Sequence, residues 1–155
     1  RNYDVIGFDQ VVFNFEDVKL SFYAAPRKAI PTMRRIPYLN NLYLADIESI
    51  GAMKMETMLR RAKFRDYYDI YSIIKEGGDI DKMISAALER SEHKLRTRGL
   101  FKMLTTGQNF IKEKGFEELM PVYDVTHMDI QEFIKAKLSE AKSSHHLKIS
   151  GTAIL

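Results

Sequence analysis

The segment from Asp46 to Gly77, DIESIGAMKMETMLRRAKFRDYYDIYSIIKEG, decides the fold, because its apolar residues recur at helical spacing. Ile47, Ile50 and Met58 fall on one stripe, as in a helix that packs against a core. Lys54 lies in the middle of this stripe. A buried cation costs roughly several kcal/mol unless it is paired. The pattern therefore predicts that the stem of Lys54 is covered and that its amine faces a cleft or an acidic partner.

Three charged residues after Lys54 return to the same side of a helix. At about 100° per residue, Arg61 and Arg65 lie within roughly 20° of Lys54 on one continuous helix, and Asp69 lies within about 60°. Asp69 is therefore the expected partner of the amine. Asp66 points roughly 120° away and is interpreted as a structural pair or a cap. Residue chemistry leaves two interpretations open, a functional site and an ion-pair network that joins two helices.

The run from Leu44 to Ile74 resembles the core signature of the AbiEii/AbiGii-type nucleotidyltransferase toxins. In that family A-x-K-L is followed by an arginine seven residues after the lysine, and then by R-D-x-x-D-L. Methionine and isoleucine replace two leucines here. The matching residues are Ala52, Lys54, Met55, Arg61, Arg65, Asp66, Asp69 and Ile70. The upstream VKLSFYAAP, residues 18–26, resembles a V-K-x-S-F-F strand of one branch of the family.

The resemblance implies transfer of a nucleotide from an NTP, with Mg²⁺, to an RNA such as tRNA or to a protein acceptor. It also implies a separate cognate antitoxin. Lys54 and Asp69 inherit catalytic roles from the family, and Lys54, Arg61 and Arg65 would contact the phosphates of the nucleotide. A compact ammonium on a long stem and the guanidinium fork both suit phosphate oxygens. Asp69 could instead orient Lys54 or an arginine through a salt bridge.

One part of the expected catalytic centre is missing from the sequence. The wider polymerase-beta nucleotidyltransferases, which this family resembles, hold their metal with a Gly-Ser segment followed by Asp-x-Asp. No such segment precedes Lys54, since Asp4, Gly7 and Asp9 have the wrong order and spacing. Ser21 stands where many of these enzymes have a further carboxylate. We expect the metal-binding segment to have been cut off or lost, this chain to bind no metal, and the chain alone to be inactive.

The composition is that of an ordinary soluble domain. The 155 residues are 45% hydrophobic and 29% charged, with a formal net charge of +3. No apolar run approaches the ~18 residues of a membrane span, so no membrane partner is expected. The absence of cysteine excludes disulfides and thiolate metal sites and is compatible with a cytoplasmic location. The small positive charge permits a nucleic-acid partner without requiring one.

The predicted fold is α+β, a partial mixed sheet followed by an α-helical bundle. Residues 1–45 form a remnant of the nucleotidyltransferase sheet, residues 46–142 the helical region and residues 143–155 a mobile tail. Apolar alternation predicts a hairpin with one buried face that turns at Glu16-Asp17, and a short edge strand near residues 36–44 that is broken at Asn40-Asn41.

The helices follow from Asp46 onward. The first runs to about Arg61, the second covers 64–75, and Asp79 or Asp81 caps the third. One or two more helices lie between residues 91 and 114. Asp129 caps the last helix, which runs through Ala141.

Other polar residues give weaker signals. Tyr67, Tyr68 and Tyr71 read as core or rim aromatics, with Tyr68 the best candidate for stacking on a base. The four histidines show no ligand spacing. A basic patch is interpreted as a solvated helix face or as phosphate contacts to an RNA acceptor; it consists of Lys94, Arg96, Arg98 and Lys102. Two rival functions remain open, a non-catalytic interaction module and a nucleic-acid-binding module that uses this patch.

Overall fold

The structure is a computed structural model that describes residues 3–5, 10–24, 35–91 and 95–150, with backbone alone at 3–5 and 142–150. The chain divides into two compact units, residues 1–33 and residues 34–155. Within the described ranges, no helix combines the length and apolarity needed to cross a membrane.

The first unit contains a three-stranded antiparallel sheet in the order β1-β2-β3, with β1 at Tyr3–Val5, β2 at Gln10–Phe15 and β3 at Val18–Tyr23. The turn between β2 and β3 uses Glu16 and Asp17, whose φ angles are +45° and +65°. Two successive positive φ values suit a tight hairpin, because that twist matches the strands. The hairpin and its turn are therefore confirmed.

The buried face predicted for this hairpin is wrong. Val12 is buried at 2% relative exposure, whereas Phe15 and Phe22 are 62% and 60% exposed. The alternation of apolar residues in the sequence indicates an apolar face, but it does not show that this face is buried.

The second unit opens with a hairpin where the sequence indicated one broken strand. Strand β4 spans Arg35–Leu39 and β5 spans Leu42–Ala45, paired antiparallel with a register irregularity between Pro37 and Leu39. Asn40 makes the turn with φ +48°, a value that asparagine tolerates. The α+β class is confirmed, but every described strand pair is antiparallel rather than mixed, because such short turns join only antiparallel strands.

In the described part of the chain, five α-helices follow, together with short 3-10 turns at Gly107–Asn109 and Phe116–Leu119. The α-helices are α1 (Ile47–Arg60), α2 (Phe64–Lys75), α3 (Ile80–Arg90), α4 (Thr97–Leu104) and α5 (His127–Ser150). The predicted bounds of the first two helices are confirmed to within one residue. Asp46 and Asp79 cap α1 and α3, since each carboxylate accepts backbone N–H groups of the first turn.

The last helix differs from its prediction at both ends. Thr126 and Asp129 bond reciprocally: the hydroxyl of Thr126 donates to Asp129 at 2.6 Å, and the Asp129 N–H donates to Thr126 Oγ1 at 3.3 Å. Asp129 is thus the inner partner of a capping pair rather than the cap. The helix continues past Ala141 to Ser150. The mobility of residues 143–155 stays a prediction.

The close approach of α1 and α3 depends on Gly51. A Cβ atom at this position would lie 2.4–2.9 Å from the side chain of Met83. Both residues are buried, so no space exists for a larger residue without movement of Met83. The small residue therefore sets how closely the two helices pack.

Helix α2 is the centre of the core, and Tyr67 is its largest fully buried side chain. The Tyr67 hydroxyl donates to the Leu104 carbonyl at 2.7 Å, and its ring stacks on Phe110 with centroids 4.5 Å apart. Burial, and secondarily the charge of Glu132, raises the pKa of Tyr67 above its ordinary value. The fold therefore stabilises the neutral phenol.

Tyr67→Phe is expected to lower the free energy of unfolding by about 1–2 kcal/mol, because the buried Leu104 carbonyl loses its donor. The raised pKa gives a stabilisation that is complete below the unfolded pKa of about 10 and is lost as the pH rises toward the folded pKa. The variant should therefore lose less stability in alkali than the wild type. Urea unfolding at neutral and alkaline pH measures both effects. Tyr38→Phe, at a site 65% exposed, is the control, and an equal effect there would contradict the assignment.

Candidate functional site

The site forms where the chain breaks between α1 and α2. Arg61 and Lys63 have extended backbones, with φ −151° and −100°. The shared face of the charged residues depended on one continuous helix, and this condition is not met, because the chain forms two helices as predicted. Lys54 and Asp66, twelve residues apart, meet because α1 and α2 pack against each other.

Asp66 is the buried centre of the charged cluster. Its side chain has 0% relative exposure. Its carboxylate accepts from Arg61 Nε at 3.0 Å, from Arg61 Nη2 at 3.2 Å and from Lys54 Nζ at 3.3 Å. The structural pairing interpreted from the sequence is present, but the predicted direction, away from Lys54, is wrong. The two-pronged contact with Arg61 joins the end of α1 to the first turn of α2.

Lys54 bridges two carboxylates. Its Nζ lies 2.5 Å from Asp69 Oδ2 and 3.3 Å from Asp66 Oδ1, and its side chain is 31% exposed. The predictions that its stem is covered and that Asp69 is its partner are confirmed. Asp66 and Asp69 reach the same amine because residues three apart are neighbours on a helix surface.

Arg65 is not part of this cluster. Its side chain is exposed and has no ion-pair partner among the residues that the structure describes. Its backbone N–H donates to Glu113 Oε2 at 3.3 Å, and Lys63 Nζ lies 3.9 Å from the same carboxylate. Arg65 is therefore available to an external anion, whereas Arg61 is already held by Asp66.

The exposures of the four charged groups define what the cluster can do. Lys54, Arg61 and Asp69 are partly exposed, at 31%, 44% and 40%, but Asp66 is fully buried. Two cations and two carboxylates balance in formal charge. An external phosphate could contact Lys54 from the solvent side by competing with Asp69, and it could not reach Asp66.

The described residues do not fit a magnesium site. No three His, Asp or Glu side chains of the described residues cluster in a way that could hold a metal, and Asp66 and Asp69 are both engaged by Lys54. An Asp-x-Asp sequence does occur at Asp79–Asp81, after Lys54, but the Asp79 carboxylate caps α3. The neighbouring Lys82 N–H lowers the pKa of Asp79.

The aromatic residues of α2 belong to the core. Tyr67, Tyr68 and Tyr71 are all buried, and the Tyr68 hydroxyl accepts from the Tyr123 N–H at 2.8 Å. Tyr71 packs edge-on against Phe133. Stacking of Tyr68 on a base is therefore not supported by its position.

The basic patch is only partly within the described chain. Arg96, Arg98 and Lys102 are exposed at the start and along the surface of α4, and Lys94 lies outside the described residues. None of the three described side chains has an ion-pair partner within the described ranges. No described ion pair or hydrogen bond joins them to the Lys54 cluster.

Residues 4–147 match the family model described as nucleotidyl transferase AbiEii toxin, type IV TA system. The match covers nearly the whole chain, so the class of protein is a nucleotidyltransferase-type toxin. The chain belongs to the AbiEii family. No curated protein and no solved structure gives a significant match to it.

Asp66→Asn is expected to lower the free energy of unfolding by about 2–3 kcal/mol. This is less than the loss for a fully buried pair, because its two cationic partners are partly exposed. Asp69→Asn removes a partly exposed partner of Lys54 and should change the free energy of unfolding by less than about 1 kcal/mol. Urea unfolding followed by circular dichroism measures both values. Equal losses would contradict the central position of Asp66.

Proposed function

We propose that this protein takes part in transfer of a nucleotide from an NTP to an RNA or protein acceptor, and that the Lys54 cluster contacts the triphosphate. The observation that carries the proposal is Lys54, whose amine is held between Asp66 and Asp69 and whose side chain is partly exposed. Lysines placed in this way are expensive to bury. Binding of a phosphate would account for this costly arrangement, which a purely structural ion pair does not require.

In the proposed reaction an acceptor hydroxyl oxygen forms a bond to the α-phosphorus of the NTP. The bond from that phosphorus to the α–β bridging oxygen breaks, the hydroxyl proton is released and pyrophosphate leaves. Lys54 and Arg65 would stabilise the negative charge that develops on the leaving phosphates. Arg61 would contribute through its remaining N–H groups, since Asp66 already holds two of them.

Asp69 would have the catalytic role that the family motif gives it, or would orient Lys54. The resemblance to the family implies Mg²⁺, whereas the described residues supply no metal cluster that could hold it. A cognate antitoxin and a cytoplasmic location complete the proposal. Family membership as a type IV toxin supports the antitoxin.

The acceptor surface would be the exposed cations of α4. Arg96, Arg98 and Lys102 present positive charge without described ion-pair partners, and Lys94 would extend the patch. Phosphate contacts of this kind give affinity without sequence preference. The same observation supports the rival function, a nucleic-acid-binding module without catalysis.

Lys54→Ala should weaken binding of NTPs by about tenfold, since one cation–phosphate contact contributes on the order of 1.4 kcal/mol. Arg65→Ala should have a smaller effect in the same direction. Calorimetric titration of ATP, GTP, CTP and UTP with Mg²⁺ measures the affinities. Lys82→Ala is the matched control, because Lys82 is 70% exposed and pairs with Asp79 elsewhere. Unchanged affinity in Lys54→Ala would contradict the proposed site.

The chain alone is expected to bind NTPs without transferring them, because the sequence has no Asp-x-Asp segment before Lys54. Incubation with α-labelled NTPs, Mg²⁺ and total tRNA should leave the RNA unlabelled. Robust labelling of RNA that depends on Lys54 would show that the chain holds a complete catalytic centre.

A further inference from the structure

We infer that Asp66 is a positioning residue for the triphosphate site, and that Asp69 is the carboxylate which a phosphate displaces from Lys54. The inference rests on the proposed function, because it assumes that Lys54 contacts phosphate. It assigns different tasks to two aspartates that contact the same amine. The difference comes from their burial and from their other partners.

Asp66 cannot leave the cluster when a ligand arrives. It is fully buried and accepts two hydrogen bonds from the guanidinium of Arg61 in addition to the contact with Lys54. A carboxylate in this position has no water to replace the bonds that it would lose. Its oxygens therefore keep the same place with and without a phosphate.

Asp69 has the opposite properties. Its side chain is 40% exposed, and Lys54 is its only ion-pair partner among the described residues. Water can solvate this carboxylate when it moves away from the amine, so its release costs little. An incoming phosphate offers Lys54 a second anion of greater charge on the solvent side.

The amine needs the buried carboxylate for this exchange to work. A lysine side chain has several rotatable bonds and loses conformational entropy when it is fixed. If Asp69 alone held Lys54, its release would free the amine to move. Asp66 lies 3.3 Å from the amine and limits that movement, which lowers the entropy lost on binding.

Arg61 is the second residue on which this exchange depends. Its guanidinium neutralises Asp66 through Nε and Nη2. Without Arg61, Asp66 would present an uncompensated negative charge to the phosphates. With Arg61 in place, the buried pair is neutral, and the charge of Lys54 is available to the ligand once Asp69 has moved.

The experiment compares Asp66→Asn with Asp69→Asn in the full chain, using calorimetric titration of the NTP that the wild type binds most tightly. The two changes remove the same charge from the same lysine. Asp66→Asn should weaken binding by about tenfold, which converts to about 1.4 kcal/mol. Asp69→Asn should bind equally well or more tightly, because a competing anion has been removed. Circular dichroism at the titration temperature ensures that both variants are folded.

A double-mutant cycle separates positioning from general damage to the fold. Asp66→Asn should cause no further loss of affinity in a Lys54→Gln background. An equal loss in both backgrounds would overturn the inference, and so would a larger loss in Asp69→Asn than in Asp66→Asn. A wild-type chain that binds no NTP would instead overturn the proposed function, which is a distinct result.

Discussion

The buried carboxylate of Asp66 is the constraint on which the second unit depends. A charge with no exposure must be paired, and its partners come from the middle of α1 and from the residue that ends it. The pairing is possible only if α1 stops at Arg60 and α2 starts anew at Phe64. The chain therefore changes direction between α1 and α2, where the charged side chains can meet. On the same helix, Tyr67 and Ile70 are fully buried in the core.

The same helix thus joins an apolar core to a polar cluster. The core face is closed, with Tyr67 bonded to the Leu104 carbonyl, and cannot admit a ligand. On the polar face the exposure of the side chains increases from Asp66, at 0%, to Asp69, at 40%. A rigid helix that carries both faces transmits the order of the core to the charged groups. Sites built on such elements hold their geometry better than sites built on loops.

Much of the fold could be predicted from local signals. Asp46 and Asp79 mark helix ends through capping, and Gly77 does so through its φ of +95°. These signals act within a few residues. The charged site was only partly predictable. The pairing of Lys54 with a carboxylate follows from the chemical need of a buried cation. The Lys54–Asp66 contact depends on how two helices pack. The break between these helices was predicted, but no local signal in Arg61–Lys63 fixes the angle at which the second helix leaves the first. The hairpin at Asn40 was hidden for a similar reason, since no glycine marks its turn.

Gly51 lies one turn before Lys54 on α1, at the point where that helix meets Met83 of α3. The position of Lys54 is therefore tied to a contact that the same helix makes one turn earlier. Sequence change at residue 51 would propagate to the charged groups through the rigid helix, although residue 51 touches none of them. Homologous chains should accordingly show covariation between positions 51 and 83. A homologue with a larger residue at position 51 would need a smaller residue at position 83 to keep the lysine at the same place.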